Sequence, residues 1–280
     1  MTIFSDETII QNIYDDIGFE DITTNSLIDD NKWAQAEIIC KEDGILAGIE
    51  IAHYIIDYFN LSISSSYIDG DEVHKGDVIL EYEGSAKDIL MTERTILNYL
   101  MHLSGIATLV HQTVQRVHKS NPNIKVAATR KTTPGLQKYE KKAVEIGGAD
   151  SHRFKLDDCV LIKDNHIEIV GGVIEALQKA QENVSFTKKI EIEVETLDDA
   201  IKAALFGADI IMLDNMTPTQ ISEVTEELKK RYVRDEVIIE ASGGIRPDNI
   251  EEYAKLDIDV ISSGFITNSA TSLDMGLDIT

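Results

Sequence analysis

Cysteine is scarce: Cys40 and Cys159 are the two in 280 residues. Cys159 stands inside an apolar run, so both are expected as reduced thiols rather than a disulfide pair. No apolar run approaches the length that spans a bilayer, and no N-terminal stretch has a secretory signal pattern, so a cytoplasmic protein is expected. Positive charge is also short, with 26 Lys and Arg against 50 Asp and Glu and a formal net charge of −24. Nucleic acids and anionic membrane surfaces need a basic footprint, and this balance excludes both as partners. There is no long linker, low-complexity tract or internal repeat. The length fits one large barrel or two domains, and 43% hydrophobic with 27% charged residues is ordinary for a globular chain.

What is present begins with an amphipathic helix, roughly Asp6 to Ile17, and an acidic connector, Asp21 to Thr24. Alternating apolar residues from Ala34 predict a strand, Ile51 to Phe59 a helix, and Ile63–Ile68 and Val78–Tyr82 short strands between Asp/Gly turns. From Ile89 to about Lys119 the apolar spacing is helical, with an interruption or kink expected near Ser104-Gly105. Beyond it, six apolar runs alternate with helical stretches: Ile124–Ala128, Val160–Ile162, Ile190–Val194, Ile210–Leu213, Val237–Ala241 and Val260–Ser262. That βαβ rhythm predicts a parallel sheet. The expected fold is α/β, an incomplete or irregular (β/α) barrel over 105–270 with a smaller N-terminal α+β domain over 1–104. The tail, 271–280, is expected to pack back on the N-terminal domain.

The strands end in polar and charged residues, and in parallel α/β proteins ligands bind beyond strand C-termini. The first run stops at Arg130-Lys131 and the second at Lys163, with His152-Arg153 between them. Five potential cations converging on one pocket, in so acidic a chain, call for an anionic ligand with several charges. The third run carries Glu191, Glu193 and Glu195 at period two, and the fourth ends at Asp214. Carboxylates beside a basic pocket suit a divalent metal, sugar hydroxyls or a developing cation. The fifth and sixth runs end at Ser242-Gly243-Gly244 and Ser263-Gly264, where loops of a barrel commonly cradle a phosphate. The histidines His102, His111 and His118 read as ordinary helix residues, as does Arg94.

The segments TRKTTPG, EKKAVEIGG, HRF followed by LDDCVLIKDNHI, EIEVETL, IIMLDNM, EASGGI and ERTILNYLMHLSGIAT, in this order apart from the last, which comes earlier, resemble quinolinate phosphoribosyltransferase, also called carboxylating nicotinate-nucleotide pyrophosphorylase. The resemblance runs from about residue 20 to the C-terminus. It implies transfer of phosphoribose from phosphoribosyl pyrophosphate to quinolinate, with loss of CO2, using magnesium, in a homodimer with an N-terminal sandwich domain. Residue by residue, it implies that Arg130, Lys131, His152, Arg153 and Lys163 hold quinolinate. It implies Glu193 and Asp214 near ribose and metal, and Ser242, Gly243, Gly244 and Gly264 on the 5-phosphate, with Ser263 beside them. Arg94 is implied to reach the neighbouring subunit's site. Lys131, Lys163, Glu193 and Asp214 are the residues expected to carry the chemistry. Ala128 and Phe154-Lys155 depart from the common pattern toward an archaeal-type variant, and Asn268 stands where many members have His. The competing readings are a same-fold relative that accepts a different ring acid or nitrogen base, a lyase forming a Schiff base at Lys163, and a non-catalytic metabolite-binding protein of the same fold.

Overall fold

A computed structural model describes residues 7–280, which divide into two compact units. The first comprises residues up to His111, with Lys142–Gly148 and Ala270–Thr280. Its elements are α1 (Glu7–Ile17), α2 (Ile22–Leu27), β1 (Trp33–Cys40), β2 (Gly44–Ile45), α3 (Ile49–Tyr58), β3 (Ser62–Ser66), β4 (Glu72–Val73), β5 (Val78–Ser85) and the first part of α4 (Ala86–Ser120). The expected first helix matches α1, except that Asp6 lies outside the described residues. The Asp21–Thr24 stretch is not a connector: Asp21 caps α2, its carboxylate accepting from the Thr24 amide at 2.9 Å.

Helix α4 runs unbroken through Ser104-Gly105, where an interruption or kink was expected, so the interruption is absent. The small residues there serve packing instead. Ser104 Oγ accepts from the Ala47 amide at 2.9 Å, and a Cβ on Gly105 would strike the Thr271 carbonyl. The end of the chain forms β12 (Met275–Ile279), antiparallel to β1 from Ala36↔Ile279 to Cys40↔Met275. The resulting sheet has order β12-β1-β5-β3 and buries Ile38, Leu80 and Tyr82 completely.

The second unit comprises Gln112–Lys141 and Ala149–Ser269. It contains β6 (Lys125–Ala127), the start of α5 (Gln137–Ile146), β7 (Val160–Ile162), α6 (Asp164–Val170), α7 (Val173–Asn183), β8 (Ile190–Val194), α8 (Leu197–Leu205), β9 (Ile210–Asp214), α9 (Pro218–Lys230), β10 (Ile238–Ser242), α10 (Ile250–Tyr253), β11 (Val260–Ser262) and α11 (Phe265–Asn268). The strands form one parallel sheet of order β6-β11-β10-β9-β8-β7, barrel-like but with no pairing between β6 and β7. Beyond β6 a single bridge adds Asp150, whose amide donates to Val126 O at 2.8 Å.

Alternate residues on each strand explain both faces. On β9, Ile211 and Leu213 are fully buried, and each such side chain contributes about 1.5–3 kcal/mol. Their neighbours Met212 and Asp214 line the interior cavity. On β8, Ile192 and Val194 are buried by the same alternation, which turns Glu191 and Glu193 inward. Helices are stopped and started by local chemistry: α9 opens with Pro218 after Thr217, whose Oγ1 accepts from the Gln220 amide while Gln220 returns to Thr217. Among the described residues no helix is long and apolar enough to cross a membrane.

Candidate active site

The strand ends of the second unit surround a cavity of about 410 Å3, a size usual for small-ligand pockets. Arg130, Lys131, His152, Arg153, Lys163, Glu193, Asp214, Ser242, Gly243 and Gly244 all line it. An adjoining cavity of about 240 Å3 shares Lys131, Ser242, Gly243 and Gly244 and adds Ser263, Gly264 and Asn268. Arg94 lines neither: it sits on α4 in the first unit, with its side chain 60% exposed and only a 3.9 Å approach to Glu93.

After β6 the chain turns outward and is pinned at several points. The Lys131 amide donates to Thr129 Oγ1 at 3.1 Å, and the Lys131 carbonyl accepts from Thr267 Oγ1 at 2.8 Å. The Thr133 amide donates to Glu140, which is wholly buried. The side chains of Arg130 and Lys131 make no hydrogen bond or ion pair among the described residues, and neither does the guanidinium of Arg153. Three unneutralised cations around one cavity attract an anion and favour doubly charged ones.

Lys163, after β7, is held differently. Its amide donates to His166 Nδ1 at 2.9 Å, so the histidine of the KDNH run caps α6 rather than entering the cavity. Its Nζ meets Glu193 Oε2 at 2.5 Å. Opposite, Asp214 has one oxygen bonded by Asn215 Nδ2 at 2.6 Å. Burial first, then the charges of Glu193 and Glu195, push the Asp214 carboxyl above its ordinary range, against Lys163 and Lys131 which pull it down.

The glycines are demanded by shape. Gly243 lies at φ 86°, and a Cβ there would collide with Asn215. Gly264 leaves room for the Lys131 stem, 2.8 Å from where a Cβ would sit. Ser262 Oγ donates to Ser242 Oγ at 2.9 Å, and Ser263 Oγ to Ile245 O at 2.7 Å, which fixes both loops. Arg246 joins Lys131 on the smaller cavity. It was not expected from the sequence, although it follows the Gly-Gly pair by two residues.

His152 adopts φ 53°, a left-handed conformation uncommon outside glycine. Its Nε2 lies 3.2 Å from Glu240 Oε2 and 3.8 Å from Glu191 Oε2. Burial pulls its pKa down, but the hydrogen bond to Glu240 and the charges of Glu240 and Glu191 outweigh burial, and the net displacement is upward. Glu191 is wholly buried with neither oxygen hydrogen-bonded, and burial followed by Glu240 lifts its carboxyl to about 7. The period-two glutamates of β8 thus run from Glu191 in the interior through Glu193 at the cavity to the exposed Glu195. Glu240 is a single acid in the apolar β10, a signal visible in the sequence.

Comparison with known proteins agrees with this geometry. Residues 21–104 match the family description "Quinolinate phosphoribosyl transferase, N-terminal domain" and residues 106–278 its C-terminal domain. A "probable nicotinate-nucleotide pyrophosphorylase [carboxylating]" of Methanothermobacter thermautotrophicus is 54% identical over 273 residues, covering 98% of each chain. The human "nicotinate-nucleotide pyrophosphorylase [carboxylating]" is 37% identical over 88% of this chain and 82% of its own. The crystal structure of nicotinate-nucleotide pyrophosphorylase from Ehrlichia chaffeensis superposes with a TM-score of 0.93 at 34% identity, covering 100% of both chains. The chain belongs to the quinolinate phosphoribosyltransferase family.

Proposed function

We propose that the chain is a pentosyltransferase of de novo NAD biosynthesis. It joins quinolinate to phosphoribosyl pyrophosphate and yields nicotinate mononucleotide, pyrophosphate and CO2. The observation that carries this reading is the set of unpaired cations, Arg130, Lys131 and Arg153, in a cavity whose other wall is Glu193 and Asp214. Quinolinate carries carboxylates on adjacent ring carbons, and separate cations can clamp each one. The loops at Gly243-Gly244 and Gly264, with Lys131 and Arg246, suit the 5-phosphate.

The chemistry follows from charge. The quinolinate ring nitrogen attacks the anomeric carbon as the bond to pyrophosphate breaks, and the electron pair leaves with pyrophosphate. Glu193 and Asp214 stabilise the cationic sugar in between, and Lys163 holds the Glu193 carboxylate in place. The carboxylate beside the quaternised nitrogen then leaves as CO2. Its electron pair stays on the ring carbon, where the nitrogen charge stabilises it, until a proton replaces it. Cations that hold this carboxylate out of the ring plane assist that step.

Magnesium fits the same wall. Asp214 keeps one oxygen clear of Asn215, and burial together with the charges of Glu193 and Glu195 holds its carboxyl above its ordinary range. Asp214, with Glu193, would hold the ion directly or through substrate, and magnesium supplies neutralisation of the pyrophosphate. The active form is a homodimer in which the exposed Arg94 serves the partner's cavity, and the compartment is the cytoplasm. The ion pair of Lys163 with Glu193 argues against the Schiff-base reading, which needs a free amine.

The test mixes purified protein with quinolinate, phosphoribosyl pyrophosphate and magnesium. Nicotinate mononucleotide, pyrophosphate and CO2 should appear in equal amounts. Tight quinolinate binding without pyrophosphate release would make the chain a binding protein, and a borohydride-trapped adduct of an aldehyde or ketone substrate on Lys163 would make it a lyase.

A further inference from the structure

Below the cations, the floor of the larger cavity is built from residues outside the clamp. His152, Arg153 and Glu240 line this cavity and also a second one, of about 380 Å3, that contains Glu191 and the first residues of the strands. Glu240 is 1% exposed and Glu191 0%. A buried carboxylate costs stability unless something answers it, and here the answer is His152.

Both ring nitrogens of His152 are occupied within the protein. Nε2 faces Glu240 at 3.2 Å, and Nδ1 accepts from the Arg153 amide at 2.9 Å. An Nδ1 that accepts must carry its lone pair, so these contacts assign the tautomer with hydrogen on Nε2, donated to Glu240. Neither nitrogen remains for a ligand carboxylate. The flanking backbone is tied as well: the His152 amide donates to Asp150 Oδ1 at 2.7 Å, and Lys141 Nζ donates to the carbonyls of Ser151 and Arg153. A non-glycine residue at φ 53° persists only when its surroundings over-determine it. All these bonds converge on the peptide that carries the one unpaired guanidinium of this segment, Arg153.

We propose that Glu240 is a positioning residue for the acid substrate: it grips His152 by Nε2, His152 grips the Arg153 amide by Nδ1, and the Arg153 guanidinium thereby enters the cavity from a fixed backbone. Glu191 lies beside Glu240, its Oε2 3.8 Å from the same Nε2. In this role Glu240 acts through His152 and Arg153 rather than by contact with the reacting atoms. Arg153 and Lys141 lie close enough to act electrostatically on this cluster, Arg153 on Glu191 and Lys141 on His152. Such cations oppose a divalent metal there, although His152, Glu191 and Glu240 offer ligand atoms within 4.8 Å of one another.

The inference rests on the cavity being the quinolinate pocket. It is tested with Glu240→Gln and Glu240→Leu, measuring each Michaelis constant and kcat. Gln still accepts from Nε2, so its quinolinate KM should stay within about threefold of wild type, whereas Leu should raise it about tenfold or more, the effect of losing one charge-assisted hydrogen bond. The phosphoribosyl pyrophosphate KM should move less than about threefold in both. Equal loss in Gln and Leu, a matching rise in both Michaelis constants, or no change in Leu overturns the proposal. So does stoichiometric metal in the wild-type protein that Glu240→Gln removes. A measurement on the wild-type chain needs no variant to fold: imidazole 15N spectra, with His152 assigned from a His152→Asn sample, should show protonated Nε2 and lone-pair Nδ1. The opposite tautomer overturns it. Failure of wild type to turn over quinolinate would refute the functional reading alone, and the spectra would still decide the His152 contacts.

Discussion

The anchoring of the cavity floor has a measurable signature in Lys141. Its side chain is 0% exposed, its ammonium donates to the Ser151 and Arg153 carbonyls, and it lies 5.7 Å from the Phe154 ring centroid. Burial, more than any neighbour, lowers its pKa from 10.5 to about 8. The unfolded chain therefore holds this proton more tightly than the folded one between about pH 8 and 10.5. Stability must rise with pH through that window, reach its full value above 10.5, and be lost as pH falls through about 8. The displacement corresponds to roughly 3 kcal/mol over the whole window, and about 2 to 3 kcal/mol of it falls between about pH 7 and 10. Lys141→Met removes the titrating group while keeping most of the apolar stem. Urea unfolding of both proteins at a series of pH values from about 7 to 10 isolates Lys141, because the other titrating groups cancel in the difference. Relative to the variant, wild type should gain about 2 to 3 kcal/mol across the series. A difference that stays flat, or that falls with pH, would refute the assignment of a buried, desolvated ammonium to this position.

Lys131→Ala should lower kcat about 100-fold, the usual loss when a transition-state charge is removed, while unfolding free energy stays within about 0.5 kcal/mol because the side chain is exposed; near-wild-type turnover would contradict its role. Gly243→Ala places a Cβ against Asn215 at a positive φ and should cost about 1 to 3 kcal/mol in unfolding free energy, with a raised KM for phosphoribosyl pyrophosphate; an unchanged melting curve would contradict the collision. If Arg94 serves the partner's cavity, Arg94→Ala and Lys131→Ala should each be nearly inactive alone, yet an exchanged equal mixture should recover up to about a quarter of wild-type activity through mixed dimers; a mixture no more active than its parts would remove Arg94 from the site.

The strand ends were legible because two local signals coincide at each: an apolar run of strand length, then polar residues where the run stops. That pairing located Arg130, Lys131, Lys163, Asp214 and the Ser242–Gly244 loop on one cavity. The alternation of Glu191, Glu193 and Glu195 gave their shared face, but not that Glu191 sits in the interior and Glu195 in solvent. Depth depends on how far each strand climbs relative to its neighbours, as in the pairing of Glu193 and Glu240 with Met212. Lys141 was illegible for a similar reason. It sits in a lysine-rich, helix-forming stretch that reads as a solvated face, and only the 151–154 segment folding over it buries it. The expected break in α4 failed because a Ser-Gly pair signals a kink from sequence spacing, whereas here a chain segment far away in sequence occupies the space that Gly105 leaves.

The central claim is that separate cations hold the two carboxylates of one aromatic acid, and the most direct test is a comparison of acids. The ratio of kcat/KM for quinolinate to that for nicotinate, measured side by side on the wild-type protein, should exceed about 100, because nicotinate leaves one cation unpaired in the cavity. Equal turnover of nicotinate would contradict the account, since the second carboxylate would then have no counterpart in the protein.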